Sequence, residues 1–140
     1  MSGSTPISPD SVPIATNQRA LWLPGLAFAA GGAAAAALVA VVADALGVSL
    51  EMGGDPIPFQ PFAVLAFVFS VVGIAMAAGF RQWSSQPARM FLRTTLALVA
   101  VSFLPDLLTP DVDAATRATL ALAHIVVATI VITGLHSRLR

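Results

Sequence analysis

Residues 105–124 read PDLLTPDVDAATRATLALAH. This stretch turns one apolar segment back into the next, and it concentrates the ionisable groups that lie near or within apolar sequence. Asp106, Asp111 and Asp113 sit around two prolines, Arg117 follows Asp113 by four residues, and His124 follows Arg117 by seven. Groups of this kind are expensive in hydrocarbon, so each is a candidate functional residue with a partner expected nearby. Asp113 is placed to cap the helix that follows, where its charge also complements the helix dipole.

The composition fits a chain dissolved mainly in lipid. Of 140 residues, 57% are hydrophobic and 10% charged, with mean hydropathy +0.87, against roughly 25% charged in an ordinary soluble domain. The length suits one domain. Seven basic side chains, all arginine, balance seven acids, so there is no overall positive field to attract nucleic acid. The chain contains no cysteine, which excludes disulfides, thiolate metal sites and cysteine nucleophiles. A zinc or iron site would depend on His124, His136 and carboxylates.

Outward from the opening stretch, the pattern predicts four membrane-spanning helices at about 20–46, 61–80, 88–108 and 114–135, behind a flexible Ser/Pro/Thr-rich tail over 1–18. The apolar run after Arg19 continues to Leu46, longer than the roughly 7–15 residues of a secretory signal core, so it reads as a span. In that first span Gly25, Ala29, Ala33 and Ala37 recur every four residues, as do Gly32, Ala36 and Ala40. Such small-xxx-small faces admit the close approach of another helix, within the chain or from a second subunit. Phe62, Phe67 and Phe69 of the second span supply bulk to fill the space beside these alanines. Trp22 and Trp83 suit the headgroup level. Residues 47–60 read as a loop, because Gly53-Gly54 and Pro56/Pro58 break helix and strand periodicity alike. Pro105 predicts a kinked or broken last turn in the third span.

Charge segregates along the chain. Arg19, Arg81, Arg89, Arg93, Arg138 and Arg140 fall at one set of span ends, and Asp44, Glu51, Asp55, Asp106, Asp111 and Asp113 at the other. Since arginines near short loops are retained on the cytoplasmic side, the expected architecture is an all-α, antiparallel four-helix transmembrane bundle with both termini cytoplasmic, in the cell membrane.

Within that frame the polar constellation comprises His124, Arg117, Asp44, Asp106, Asp113, Ser102 and Thr95. Arg117 is the one cation on the acidic side, and Asp113, Asp106 and Asp44 are its candidate partners. The plain reading is a headgroup-level salt bridge joining helix ends. The functional one is an anion or substrate contact in a vestibule. His124 lies about ten residues from each end of the fourth span, near the bilayer midplane. Its imidazole needs partners for a donor and an acceptor, and Thr95, Ser102, Ser70 or Thr129 would provide them. It is either interhelical glue or a proton-linked or ligand-binding group. No phosphate-cradling glycine loop or nucleophile elbow is present.

The order of features resembles a family. The Arg19–Trp22 entry, the alanine-rich span ending in Ala43–Val48, the proline-rich outer loop, the arginine-containing inner loop before Pro87-Ala88-Arg89, and Leu122-Ala123-His124 are similar to the small four-span membrane proteins of GC-rich, actinobacterial-type bacteria, classed as a domain of unknown function. The resemblance covers about residues 19–135 and implies a four-helix membrane fold without an assigned activity. The expected function is therefore a non-enzymatic accessory, assembly or small oligomeric membrane component. Its partners would be the lipid bilayer and, through the small-residue faces, a second copy or other membrane proteins, with no cofactor. The alternatives are a transporter or proton-linked carrier using His124, and a membrane redox, heme or quinone-binding protein.

Overall fold

A computed structural model describes residues 14–140, with side chains from Arg19 onward. Four helices dominate: α1 (Ile14–Ala45), α2 (Phe59–Trp83), α3 (Pro87–Leu108) and α4 (Ala114–Leu139). All four are long and apolar enough to cross a membrane. Helix α1 begins at Ile14, inside the stretch expected to be tail; residues 1–13 of that stretch lie outside the described residues.

The packing follows from side-chain size. The buried positions of α1 are Leu21, Gly25, Ala29, Gly32, Ala36, Ala40 and Ala43, alternating steps of four, four and three on one face. Because this face has almost no bulk, neighbouring side chains enter it. A Cβ on Gly25 would lie 2.9 Å from Ile74 of α2, and one on Gly32 would lie 3.3 Å from Val131 of α4. Gly134 of α4 returns the arrangement by receiving Phe28 of α1. The small-residue face of α1 is thus occupied from within the chain. Two apolar clusters result. Leu21, Ala29, Ile74, Phe91, Val131 and Leu135 form one, with Trp22 packed against it. Ala36, Ala40, Leu50, Phe62 and Ala123 form the other. Phe62 fills the space beside the alanines as expected, whereas Phe67 and Phe69 are exposed.

Helix α1 closes with a Schellman motif. Val48 N–H donates to Ala43 C=O and Gly47 N–H to Asp44 C=O, with Gly47 at φ +83°. The next segment corrects the expectation of a plain loop. β1 (Glu51–Met52) pairs antiparallel with β2 (Asp55–Pro56), joined by Gly53 and Gly54 at φ +63° and +88°. Two consecutive positive-φ residues make the turn that matches strand twist, so the glycines that end a helix here begin a hairpin. The last turn of α3 is also helical through Pro105, so of the kink or break expected there the break does not occur. Of the four helices α3 is the least enclosed, burying Phe91 and Thr95 alone on its length.

Candidate functional site

The turn from α3 into α4 is built by two side chains. Asp113 caps α4: its carboxylate accepts from Thr116 N–H at 2.7 Å and Thr116 Oγ1 at 2.9 Å. It also accepts from Ser49 Oγ at 3.0 Å, tying this turn to the segment after α1. The two hydrogen bonds from Thr116, backbone first, hold the Asp113 carboxyl below the usual carboxylate range.

Arg117 departs from the expected ion pair with Asp113, Asp106 or Asp44. Its guanidinium donates to three backbone carbonyls, Leu107 at 2.9 Å, Thr109 at 2.8 Å and Val112 at 3.2 Å. The physical reason is local. The last carbonyls of α3 have no intrahelical donor, and a planar fork of N–H groups satisfies several of them at once. Asp113 is meanwhile committed to Thr116 and Ser49. Asp44 is exposed in the last turn of α1, on the wall of a shallow groove of about 390 Å³ formed with Leu50, Ile57 and Phe59.

His124 finds a partner other than the hydroxyls proposed for it. Thr95, Ser102, Ser70 and Thr129 each donate to a carbonyl of their own helix, Phe91, Val99, Ala66 and Ile125 respectively. In an apolar medium the carbonyl one turn back is the nearest acceptor, and it captures the hydroxyl. The His124 ring instead lies 5.4 Å from that of Phe103, centroid to centroid, and its Nδ1 stands 2.8 Å from Leu120 O and 3.5 Å from Asp106 Oδ2. With two acceptors before it, Nδ1 carries the proton, which assigns the tautomer by the network around it. Asp106 Oδ2 is buried and, among the described residues, has no hydrogen-bond partner, with His124 Nδ1 standing off at ion-pair distance. The side chain of Asp106 is 12% exposed and that of His124 36%, so the carboxylate is enclosed and the imidazole partly open. Since α4 extends to Leu139, His124 sits nearer one helix end than the other, ten residues from Ala114 and about 15 Å along the axis.

Geometry thus brings Asp106 and His124 together, with Arg117 anchored on the residue next to Asp106. Among the described residues no hydrogen bond or ion pair joins Asp44, Ser102 or Thr95 to them, although Ser102 lies one turn before Asp106 on α3 with its hydroxyl given to Val99 C=O. Phe103 and Ser49 joined the site without being anticipated. The spacing of Phe103 to Asp106 was a usable signal, because residues three apart share a helix face. Ser49 lies 64 positions from its acceptor, and nothing local foretold it.

What this arrangement can do is bounded by its chemistry. A carboxylate and an imidazole form a pair whose net charge changes with each proton taken or given. The sequence model of a family of unknown function, DUF6069, matches residues 16–140. The chain belongs to that family. No curated protein and no solved structure matches it. For this DUF6069 chain the side chains themselves are therefore the guide to function.

Proposed function

We propose that this DUF6069 protein is a non-enzymatic, proton-responsive component of the cell membrane. In this reading it is an antiparallel up-down-up-down bundle with both termini cytoplasmic, and α3 shifts against α4 as the Asp106–His124 pair changes charge. One observation carries the proposal: the intramembrane imidazole faces a buried carboxylate on a neighbouring helix, whereas a hydroxyl partner would make it simple glue. The weak enclosure of α3 supports the same reading, since a helix held by few buried side chains is the one a charge change can move. The segregation of arginines and acids to opposite span ends supports the topology.

The test uses the absence of native cysteine. Spin labels on Leu107→Cys and Ala118→Cys, in lipid nanodiscs, report the separation of α3 and α4 between about pH 5 and pH 8. The distance distribution shifts with pH in the otherwise native chain and stays fixed in Asp106→Asn. A distribution independent of pH, or one that shifts equally in Asp106→Asn, refutes the proposal. A proton flux in proteoliposomes abolished by His124→Gln would place the protein among proton-linked carriers.

A second reading, self-association, is favoured by a different face. Ala27, Ala30, Gly31 and Ala34 of α1 are exposed, and nothing lies within 4 Å of a Cβ on Gly31. Gly31→Leu abolishes lipid-phase crosslinking if this face joins two copies.

A further inference from the structure

At the opposite end of the bundle from Asp113, Gln86, Pro87, Ala88, Arg89 and Leu92 of the α2–α3 turn and α3 face His136 and Arg140 of α4 across a groove of about 380 Å³. Arg140 Nε donates to His136 Nε2 at 3.3 Å, which fixes the imidazole proton on Nδ1, and Nδ1 is buried with no acceptor among the described residues. The groove is lined by two cations, Arg89 and Arg140. Among the described residues, charge around it is one-sided. Arg81, Arg89, Arg93, Arg138 and Arg140 lie at this end, and there is no acidic side chain between Asp55 and Asp106 or after Asp113. Its inner wall, Ala88 and Leu92, is apolar and leads along α3 toward the middle of the helix.

A site with guanidinium groups at its rim and a hydrocarbon wall beneath them is complementary to a molecule with the same division. We infer that this groove seats the phosphate of an anionic phospholipid, with Arg89 and Arg140 on the phosphate oxygens and an acyl chain along Ala88 and Leu92. Arginine suits the task because its planar fork engages two oxygens of one phosphate. Basic recesses between spanning helices are where lipid headgroup recognition is expected to concentrate. The inference depends on the four spanning helices and stands apart from the Asp106–His124 proposal, since His124 and His136 lie about 18 Å apart along α4.

Native mass spectrometry of the full chain, released from detergent with phosphatidylglycerol or phosphatidylcholine, tests it. Each arginine near an anionic headgroup contributes roughly fivefold in binding at low salt. The wild type retains phosphatidylglycerol over phosphatidylcholine, and Arg89→Gln/Arg140→Gln lowers that preference about 25-fold. Arg93→Gln/Arg138→Gln, with the same net charge and both residues outside the groove lining, keeps most of it. Equal losses in the two double variants mean diffuse attraction and overturn the site. Absence of any preference for phosphatidylglycerol overturns it too. Inorganic phosphate at millimolar concentration leaves lipid binding unchanged; displacement of the lipid by phosphate alone would make the ligand a free anion and overturn the lipid assignment.

Discussion

Placing a methyl group on Gly134 tests whether the α1–α4 contact is the tight joint that holds the bundle. An alanine Cβ there would lie 2.6 Å from Cγ and Cδ2 of Phe28 and 2.7 Å from Cδ1. Carbon atoms rest at about 3.5–4.0 Å, so the gap is short by roughly 1 Å. Cγ is the root of the ring, and rotation about χ2 leaves it in place. Relief requires a new χ1 for Phe28 or a separation of α1 from α4. Overpacking of this kind costs about 1–3 kcal/mol, against the roughly 0.8–1.0 kcal/mol that replacing glycine by alanine returns in a helix. Gly31→Ala is the matched control, since its Cβ meets nothing within 4 Å. The propensity gain is common to both, so the difference between the two variants isolates the strain, about 1–3 kcal/mol in favour of Gly31→Ala. Unfolding in lipid–detergent micelles titrated with dodecyl sulfate, followed by far-UV circular dichroism, measures it. In the double variant Phe28→Ala/Gly134→Ala the strain is absent, because alanine carries none of the Cγ and Cδ atoms that the methyl would meet, so Gly134→Ala costs less in the Phe28→Ala background than in the native chain. Equal stability of Gly134→Ala and Gly31→Ala, within about 0.5 kcal/mol, refutes the reasoning.

Two further outcomes follow from the α3–α4 turn. Arg117→Lys keeps the charge and loses the fork that serves three carbonyls, so it frays the end of α3 nearly as much as Arg117→Ala does, at a cost of about 1.5–3 kcal/mol. Faster amide exchange over residues 106–112 in both variants is the readout, and full protection in Arg117→Lys would restore the ion-pair account. Asp113 has a lowered pKa in the folded chain, so its stabilising contribution is complete at neutral pH and above the ordinary carboxylate value. It is lost as pH falls through the lowered folded value, below about pH 4. Asp113→Asn retains a capping oxygen and removes that acid-side loss, which thermal melts at stepped pH detect. Asp113→Ala loses the cap at every pH.

Much of the architecture was legible because the solvent is legible. Apolar runs of spanning length, separated by proline, glycine and charge, specify helices whatever their neighbours do. Asp113 was readable as a cap for the same reason: a cap bonds three residues away, and sequence displays such distances directly. Where local signals misled, a second local interaction competed. Gly53-Gly54 ends helices and also makes hairpin turns, and the pairing of Glu51 with Pro56 decided between them. Pro105 removes one backbone hydrogen bond near a helix end, too little to stop α3 three residues early.

The amino-acid sequence alone determined that this chain forms four apolar helices, that the first is smooth and alanine-lined, and that its ionisable groups gather at the α3–α4 turn. Each of these is a property of composition or of spacing along one helix. Only the tertiary structure decided that Arg117 serves carbonyls rather than carboxylates, and that His124 meets Asp106 rather than a hydroxyl. Those contacts depend on how far each helix is rotated and slid against its neighbour. That is set by Ile74, Val131 and Phe28 seating on Gly25, Gly32 and Gly134, pairs remote in sequence whose fit no local pattern encodes.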